Sequence, residues 1–580
     1  MSAPPRMRQP GAGPRETTAF CLLLAAALAI GLRLGVLAIG GGETFAATAI
    51  RQRQSETVLP ARPGDLLDRH GRLLATTVTA DSLFLVPREI PEDEIADCCG
   101  RLAIAIDLDA AALEKQVRRR PDGWFLWVQR RLDTAAAQRV RALDLPAEWW
   151  GFRPEYRRRA PLGRVGGSVV GLRNLDGRGV NGMERTLDAR LRGVPGVRTT
   201  VRDARGMTRA VLEGRSRPPA PGEDVVLTID AAVQRFAETE LDRVQAEFSP
   251  VWSCLLVTDP HTGEILAAAS RPAFDPENVP EDQPGAWTHH AFGTPFEPGS
   301  TVKPLFVETA LAEGFAAVDE RIDCEDGRWT VPGNGRLLRD VARRGLLTPG
   351  EILIHSSNIG TAKLAGRMGN PTLYRTAATF GFGRTVSEEL PNAAAGSLRP
   401  LQAWDDYSTH SVPIGHEITV TAAHLAAAHG ALANGGTLLP LTLVRNDDPP
   451  IASRVLPREW ADWLIAEPLA GVVEQGTARR VRGDDYRLFG KTGTAQLWDA
   501  EAGRYAEDRT TASAVIGGPV RAPRLLAVCV VHDPVGDLRG GGSVAAPAAA
   551  SVLRFGLRRL RVAGDGPAVT GAPVIGAAVR

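Results

Sequence analysis

The sequence predicts an α+β protein with one N-terminal apolar helix, a mixed segment, and a larger C-terminal domain in which helices flank an antiparallel sheet. Three observations predict it. Residues 18–39 form an apolar run of membrane-spanning length. Residues 216–222, with Pro218, Pro219 and Pro221, break the chain in two. Beyond that break the signals alternate: 224–230 reads as a strand, 231–248 has helical period, and 255–259 and 264–269 flank the turn Pro260-His261-Thr262-Gly263 as a hairpin.

Composition narrows the function. At 580 residues the chain exceeds one compact core. A net charge of +1 with 23% charged residues provides no broad basic face, so nucleic acid is not an expected partner. The six cysteines include one inside the apolar run and an adjacent pair, Cys98 and Cys99, which is not a disulfide framework. There is no C-x-x-C pairing, and His416-Glu417 lacks a second histidine at helical spacing, so no metal site is expected.

The apolar run is interrupted only by Arg33 and preceded by Arg6, Arg8 and Arg15. Basic residues ahead of a single span place the N-terminus in the cytoplasm and everything after the span outside. A cleaved signal peptide is the competing reading, because Ala47-Thr48-Ala49 matches a small-residue cleavage pattern. The run is longer than a usual signal core, and Arg33 lies near enough to one end to snorkel, which favours an anchor.

Residues 62–75 read as a turn, a short strand, a His70-Gly71 reversal and a second strand. The dense run Arg157-Arg158-Arg159 suggests either a polyanion site or a solvated face. Nearby Glu155, Asp176, Glu184 and Asp188 favour the solvated face.

Lysine is scarce. Of 68 basic residues only Lys115, Lys303, Lys363 and Lys491 are lysines, which leaves 64 arginines. Arginine stays protonated, whereas a buried lysine loses its proton readily and then serves as a base. Two of the four stand in an ordered trio: Ser300-Thr301-Val302-Lys303, then Ser356-Ser357-Asn358, then Lys491-Thr492-Gly493-Thr494. A serine hydroxyl is a poor nucleophile until a neighbouring base takes its proton. Residues 300–312 read as one helix with Pro304 tolerated near its first turn, which sets Ser300 and Lys303 one turn apart on one face. Ser300 is then the expected nucleophile and Lys303 its base, with a pKa lowered by desolvation and by Lys491. Ser356 supplies a hydroxyl to relay a proton and Asn358 an amide to hold a peptide group. Lys491 offers fixed positive charge and Thr492 a hydroxyl for a carboxylate, while Gly493 lets an acyl group approach the backbone.

S-x-x-K, S-x-N and K-T-G in this order are the signature of serine β-lactamases and penicillin-binding proteins. More of the chain carries the resemblance. Asp65-Leu66-Leu67-Asp68-Arg69-His70-Gly71 resembles the opening of class B penicillin-binding proteins, with Pro63 inserted. Gly182-Met183-Glu184 and Leu191-Arg192-Gly193 are similar to the elements that close their non-catalytic stalk, where Arg69 and Glu184 are expected as ion-pair formers. Val257-Thr258-Asp259-Pro260, Phe274-Asp275-Pro276, Leu432-Ala433-Asn434-Gly435-Gly436 and Gly541-Gly542-Ser543 extend it to the division-type, FtsI-like peptidoglycan D,D-transpeptidases. His416 and His424 stand where the family commonly has other residues.

The resemblance implies a cytoplasmic tail (1–17), an anchor (18–39), an elongated pedestal of dimerisation type (43–215), a linker (216–222), a penicillin-binding transpeptidase domain (223–561) and a disordered tail (562–580). It implies that Ser300 attacks the D-Ala-D-Ala bond of a peptidoglycan stem peptide and that a neighbouring stem-peptide amine takes the acyl group. The backbone N–H groups of Ser300 and Thr494 would form the oxyanion hole. It further implies β-lactam binding, no cofactor, a bacterial inner-membrane location with the bulk in the periplasm, and a SEDS-type glycosyltransferase such as FtsW among other divisome partners. Elongation-type transpeptidation, D,D-carboxypeptidase or β-lactamase hydrolysis, and a non-catalytic divisome scaffold are the alternatives.

Overall fold

The computed structural model describes residues 13–40, 54–202, 208–279, 284–333, 335–446, 448 and 450–565. The expected cytoplasmic tail up to residue 12, the Ala47-Thr48-Ala49 pattern and the expected disordered tail from residue 566 lie outside the described residues.

Helix α1 (Pro14–Gly40) begins four residues earlier than the apolar run, because a proline in the first turn forfeits no hydrogen bond. Its stretch Pro14–Leu37 has a mean hydropathy of 2.4 and none of it is buried. A fully exposed apolar surface of this length suits hydrocarbon rather than water.

Contacts divide the chain into two compact units. The first comprises Met1–Arg62 and Gly193–Pro221. Within it Gln54–Leu59, Gly196–Arg202 and Thr208–Val211 form a three-stranded antiparallel sheet with Gly196–Arg202 at its centre.

The second unit comprises Pro63–Arg192 and Gly222–Arg580. Its N-terminal part contains the expected hairpin, Leu66–Leu67 against Leu73–Leu85, closed by Asp68, whose Oδ1 accepts from the His70 and Arg72 backbone N–H groups at 2.8 and 2.9 Å. Trp150–Arg159 and Leu126–Gln129 pair antiparallel with Leu73–Leu85. Helices Ile95–Ile106, Ala110–Arg118 and Thr134–Arg141 contribute to a separate core that includes Leu83, Leu102, Val117 and Val140. The strand expected over 224–230 shrinks to Val225–Val226, which runs parallel to Leu66–Leu67. It stops there because Asp230 turns its side chain to cap the next helix, accepting from Ala232 and Val233 N–H.

That helix, α2 (Ala231–Phe248), opens the domain that carries the motifs. Its sheet consists of β1 (Trp252–Thr258), β2 (Ile265–Arg271), β3 (Phe489–Asp499), β4 (Arg504–Gly518) and β5 (Leu525–His532), antiparallel in the order β2-β1-β5-β4-β3. All seven residues of β1 and of β2 are buried, so both faces of the sheet are covered. Leu255, Val257 and Ala527 join one core with α2 and a C-terminal helix (Ala545–Arg559). Cys254, Leu256 and Val528 face the other core, with the all-buried helix Ala422–Ala433. The period-two side-chain alternation of a strand thus feeds two cores at once, each fully buried aliphatic contributing about 1.5–3 kcal/mol. β3 is the edge strand, and it bears Lys491-Thr492-Gly493-Thr494.

Candidate active site

The Ser300 segment begins as a 3₁₀ turn, Gly299–Val302, and becomes helix α3 (Lys303–Ala312) only at the lysine, where a single helix over 300–312 was expected. Pro304 lacks an N–H and so fits the first turn of α3. A 3₁₀ turn stacks residues i and i+3, which keeps Ser300 and Lys303 on one face. The turn is tied from below: Gly299 N–H donates to Gly415 O at 3.1 Å, and a side-chain carbon on Gly415 would lie 2.1 Å from Gly299 O. Ser300 is half-buried, and among the described residues its hydroxyl has no hydrogen-bond partner.

Lys303 and Lys491 converge on Ser356. Lys303 Nζ donates to Ser356 O and Asn358 Oδ1, each at 2.7 Å, and stands 3.5 Å from Ser356 Oγ. Lys491 Nζ donates to Ser356 Oγ at 2.8 Å and to Thr492 O at 3.1 Å. Both lysines are fully buried. Burial therefore pushes Lys303 down to about 7, with the Asp340 carboxylate pulling the other way. Burial and then the Lys303 charge push Lys491 well below its ordinary value. The two titrate as a pair, each opposing the other's proton.

Ser356 holds its place through a backbone strain. It ends helix Pro349–His355 in the left-handed region, with φ of 58°, which aims both its carbonyl and its hydroxyl at the lysines. Ser357 then caps the next helix, Asn358–Thr379, accepting from Gly360 N–H. Asn358 Nδ2 donates to Arg339 O at 2.9 Å while its Oδ1 serves Lys303, so each end retains one further site for a substrate.

On the opposite wall, Thr492 Oγ1 shares a hydrogen bond of 2.6 Å with Thr477 Oγ1, and Thr494 Oγ1 accepts from Gly541 N–H at 3.1 Å. Gly493 is packed so tightly that a side-chain carbon there would lie 2.5 Å from Ser513 Oγ and 2.7 Å from Pro298 O. One added to Gly299 would approach the Thr494 carbonyl carbon to 3.4 Å, so the Ser300 turn and the edge strand share one wall.

Sequence reasoning missed several supports. Asp340 accepts from Ser357 Oγ at 2.5 Å and from the Asn358 and Ile359 N–H groups at 2.6 and 3.1 Å, which anchors the second motif at a helix N-terminus. It arrives through the small sheet of Arg328–Thr330 and Leu337–Arg339, and no local pattern marks it. Glu297 binds His416 Nδ1 at 2.8 Å, the Glu417 N–H at 3.0 Å and the Tyr505 hydroxyl at 3.1 Å, which steadies the chain just before Gly299. His416 therefore belongs to the surroundings of the nucleophile turn. His424 is buried in a capping box with Thr421 and bonds Arg384 O at 2.7 Å, so its role is structural. Arg69 pairs with Glu264 at 3.1 Å, and Glu184 pairs with Arg158 at 2.6 Å and Arg173 at 2.8 Å, as expected of ion-pair formers.

A serine, two buried lysines, a second serine and an edge strand in this disposition define a serine acyl-transfer enzyme of the penicillin-binding class. The chain belongs to the class B penicillin-binding proteins: residues 253–554 match the penicillin binding protein transpeptidase domain and residues 58–227 the penicillin-binding protein dimerisation domain. It is 31% identical over 558 residues to the probable peptidoglycan D,D-transpeptidase PbpC of Pseudomonas aeruginosa, covering 94% of this chain and 95% of that one. It is 29% identical over 552 residues to the peptidoglycan D,D-transpeptidase FtsI of Escherichia coli, covering 94% and 91%. Among solved structures, a peptidoglycan synthetase from Bifidobacterium adolescentis superposes with a TM-score of 0.70 at 24% identity, covering 89% of this chain and 98% of that one. Penicillin binding protein 3 of Mycobacterium tuberculosis, complexed with aztreonam, superposes with a TM-score of 0.67 at 23% identity, covering 88% and 98%. At these identities the two structures bear on the fold alone.

Proposed function

We propose that the chain is a membrane-anchored peptidoglycan D,D-transpeptidase that cross-links stem peptides through an acyl-enzyme on Ser300. One observation carries the assignment of roles: two buried lysines meet at one serine, with Lys303 at a pKa near 7. A neutral lysine amine has two N–H donors and one lone pair. Ser356 O and Asn358 Oδ1, both at 2.7 Å, take the two donors, which leaves the lone pair to accept the Ser300 proton. An arriving substrate carboxylate, held by Lys491 and the Thr492 hydroxyl, stabilises the ammonium on Lys491 and so disfavours one on Lys303. Substrate binding thus readies the base.

Ser300 Oγ then attacks the carbonyl of the penultimate D-alanine. The Ser300 and Thr494 backbone N–H groups receive the developing oxyanion, a contribution of about 3–4 kcal/mol per donor in comparable enzymes. The departing D-alanine amine takes a proton through Ser356 Oγ, which Lys491 holds at 2.8 Å. In the second half, the stem-peptide amine loses its proton along the same path and takes the acyl group from Ser300. We further propose a septal role, on the likeness to relatives named FtsI, and a cytoplasmic N-terminus with the bulk periplasmic, on the basic residues ahead of the apolar helix, with β-lactams as acylating inhibitors and a SEDS-type glycosyltransferase and other divisome membrane proteins as the partners the family resemblance implies.

The test is labelling of the full-length, detergent-solubilised protein with a fluorescent penicillin, wild type against Ser300→Ala, followed over time. A long-lived adduct absent from the variant is the expected result. Rapid release with antibiotic hydrolysis would favour a β-lactamase instead, and an adduct that persists in Ser300→Ala would remove Ser300 from the nucleophile's role.

A further inference from the structure

The arginines that read as a solvated face instead line a cleft. Arg157, Arg158 and Arg159 on Trp150–Arg159, Arg130 and Arg131 after Leu126–Gln129, Arg139 on Thr134–Arg141, and Arg173 surround a cavity of about 600 Å³ within the second compact unit. Seven arginines there face four carboxylates. Those carboxylates are largely committed. Glu184 serves Arg158 and Arg173, Glu277 serves Arg159 at 3.1 Å, and Asp133 caps a helix through Ala136 N–H, while Asp107 is exposed. Arg130 is paired with Glu155.

Three guanidiniums have no carboxylate within salt-bridge distance among the described residues, with Glu155 and Asp176 acting on Arg131 only from further away. Arg131 donates to Leu175 O at 2.6 Å, Arg139 to Ala105 O at 2.6 Å and Arg157 to Arg131 O at 3.2 Å, all backbone carbonyls that carry no charge. Two buried guanidinium nitrogens, Arg131 Nε and Arg158 Nη2, have no hydrogen-bond partner at all among the described residues. Gathering positive charge without matching ion pairs is costly, and here four separate segments bring it together, with Arg131 and Arg157 half-buried and Arg139 exposed. Structural ion pairing accounts for Arg130, Arg158, Arg159 and Arg173, but not for the other three.

We propose that this cleft binds a phosphoryl anion, a phosphate or pyrophosphate group on a small molecule or a lipid headgroup. A single carboxylate supplies one charge and two oxygens, whereas a phosphoryl group supplies up to two charges and three terminal oxygens, closer to what three forks without a salt-bridge partner and two orphan donors require. The volume lies in the range of small-molecule sites. The site is independent of the acyl-transfer reading, since none of its residues belongs to the three motifs.

The test titrates the full-length protein in neutral detergent with inorganic pyrophosphate, by calorimetry, at fixed ionic strength, with citrate as the carboxylate control. Saturable pyrophosphate binding that weakens about tenfold or more in Arg131→Gln and in Arg139→Gln is expected. Arg139 is exposed, so its variant guards against a folding failure at Arg131. Penicillin labelling unchanged in both variants confirms an intact fold. Repeating the titration in nanodiscs containing phosphatidic acid separates the sources: competition by the lipid assigns a headgroup, and undiminished pyrophosphate binding assigns a soluble anion. No saturable binding, binding equal in wild type and both variants, or tighter binding of citrate than of pyrophosphate would each overturn the proposal.

Discussion

The motif-bearing cleft and the arginine cleft both concentrate positive charge, yet they use different residues for it and bury it to different depths. The first holds Lys303 and Lys491, fully buried and both pushed down in pKa. The second holds seven arginines, of which Arg130 and Arg158 form bidentate or multiple contacts to carboxylates and carbonyls. At position 303 lysine stands where a proton has to leave, whereas the second cleft uses arginine, whose charge stays. In a chain with four lysines and 64 arginines, that division is sharp enough to test residue by residue.

Exchanging the residue types should break the comparison most strongly at the base. Lys303→Arg keeps the positive charge but cannot give up its proton, so the second-order rate of penicillin acylation should fall about 10³-fold or more, while circular dichroism stays native. A residual rate within tenfold of wild type would show that Lys303 is not the base. The next largest effect is steric. Gly493→Ala sets a carbon 2.7 Å from Pro298 O, which is backbone and does not yield, so acylation should slow about 10- to 100-fold with a stability loss of about 1–3 kcal/mol.

A smaller effect follows from pH. With Lys303 near 7, the acylation rate should rise about tenfold per unit from pH 5 to 6.5 and level off above 7.5. Stability responds to the same group. Its pKa is lower folded than unfolded, so the unfolded chain binds more protons between about pH 7 and 10, and this lysine's contribution to stability rises with pH across that window. A flat rate profile between pH 5 and 8 would contradict the assignment. The smallest effect concerns a carboxyl on the same helix as Lys303. Burial raises Glu308 to about 7, so the folded state holds its proton more tightly than the unfolded one, and stability declines as pH rises from about 4.5 through 7. Glu308→Gln should therefore add up to about 1 kcal/mol at pH 8 and nothing at pH 4, measured by denaturant midpoint.

The two clefts also differ in how far they could be read from sequence. Each motif of the acyl-transfer site is local: Ser300 and Lys303 are one turn apart, and Lys491 through Thr494 occupy one strand. The long-range step, bringing three motifs to a common point, came from resemblance rather than from any periodicity. Asp340 escaped notice because its partners lie 17 to 19 residues further along the chain, beyond the short strand Leu346–Leu347 and the helix Pro349–His355. The arginine cleft was misjudged for a related reason. Counting Glu155, Asp176, Glu184 and Asp188 as neighbours of Arg157–Arg159 balances charge along the chain, but folding brings in Arg130, Arg131, Arg139 and Arg173 and spends two of those carboxylates on Arg130 and Arg173. His416 and His424 looked alike as departures from a family pattern. In the structure one supports the turn before Ser300 through Glu297 and the other caps a buried helix.

The pair of desolvated amines at Lys303 and Lys491 sets the interests of folding and of chemistry against each other. Each is a polar group held out of water beside a like neighbour, and replacing either by an unbranched apolar side chain of similar length, such as methionine, would relieve that opposition. A variant library selected for heat tolerance alone would accordingly drift toward idle proteins with sturdier interiors. Screens for hardier forms of this protein therefore have to impose acylation and thermal challenge together, or they will select away the property they set out to preserve.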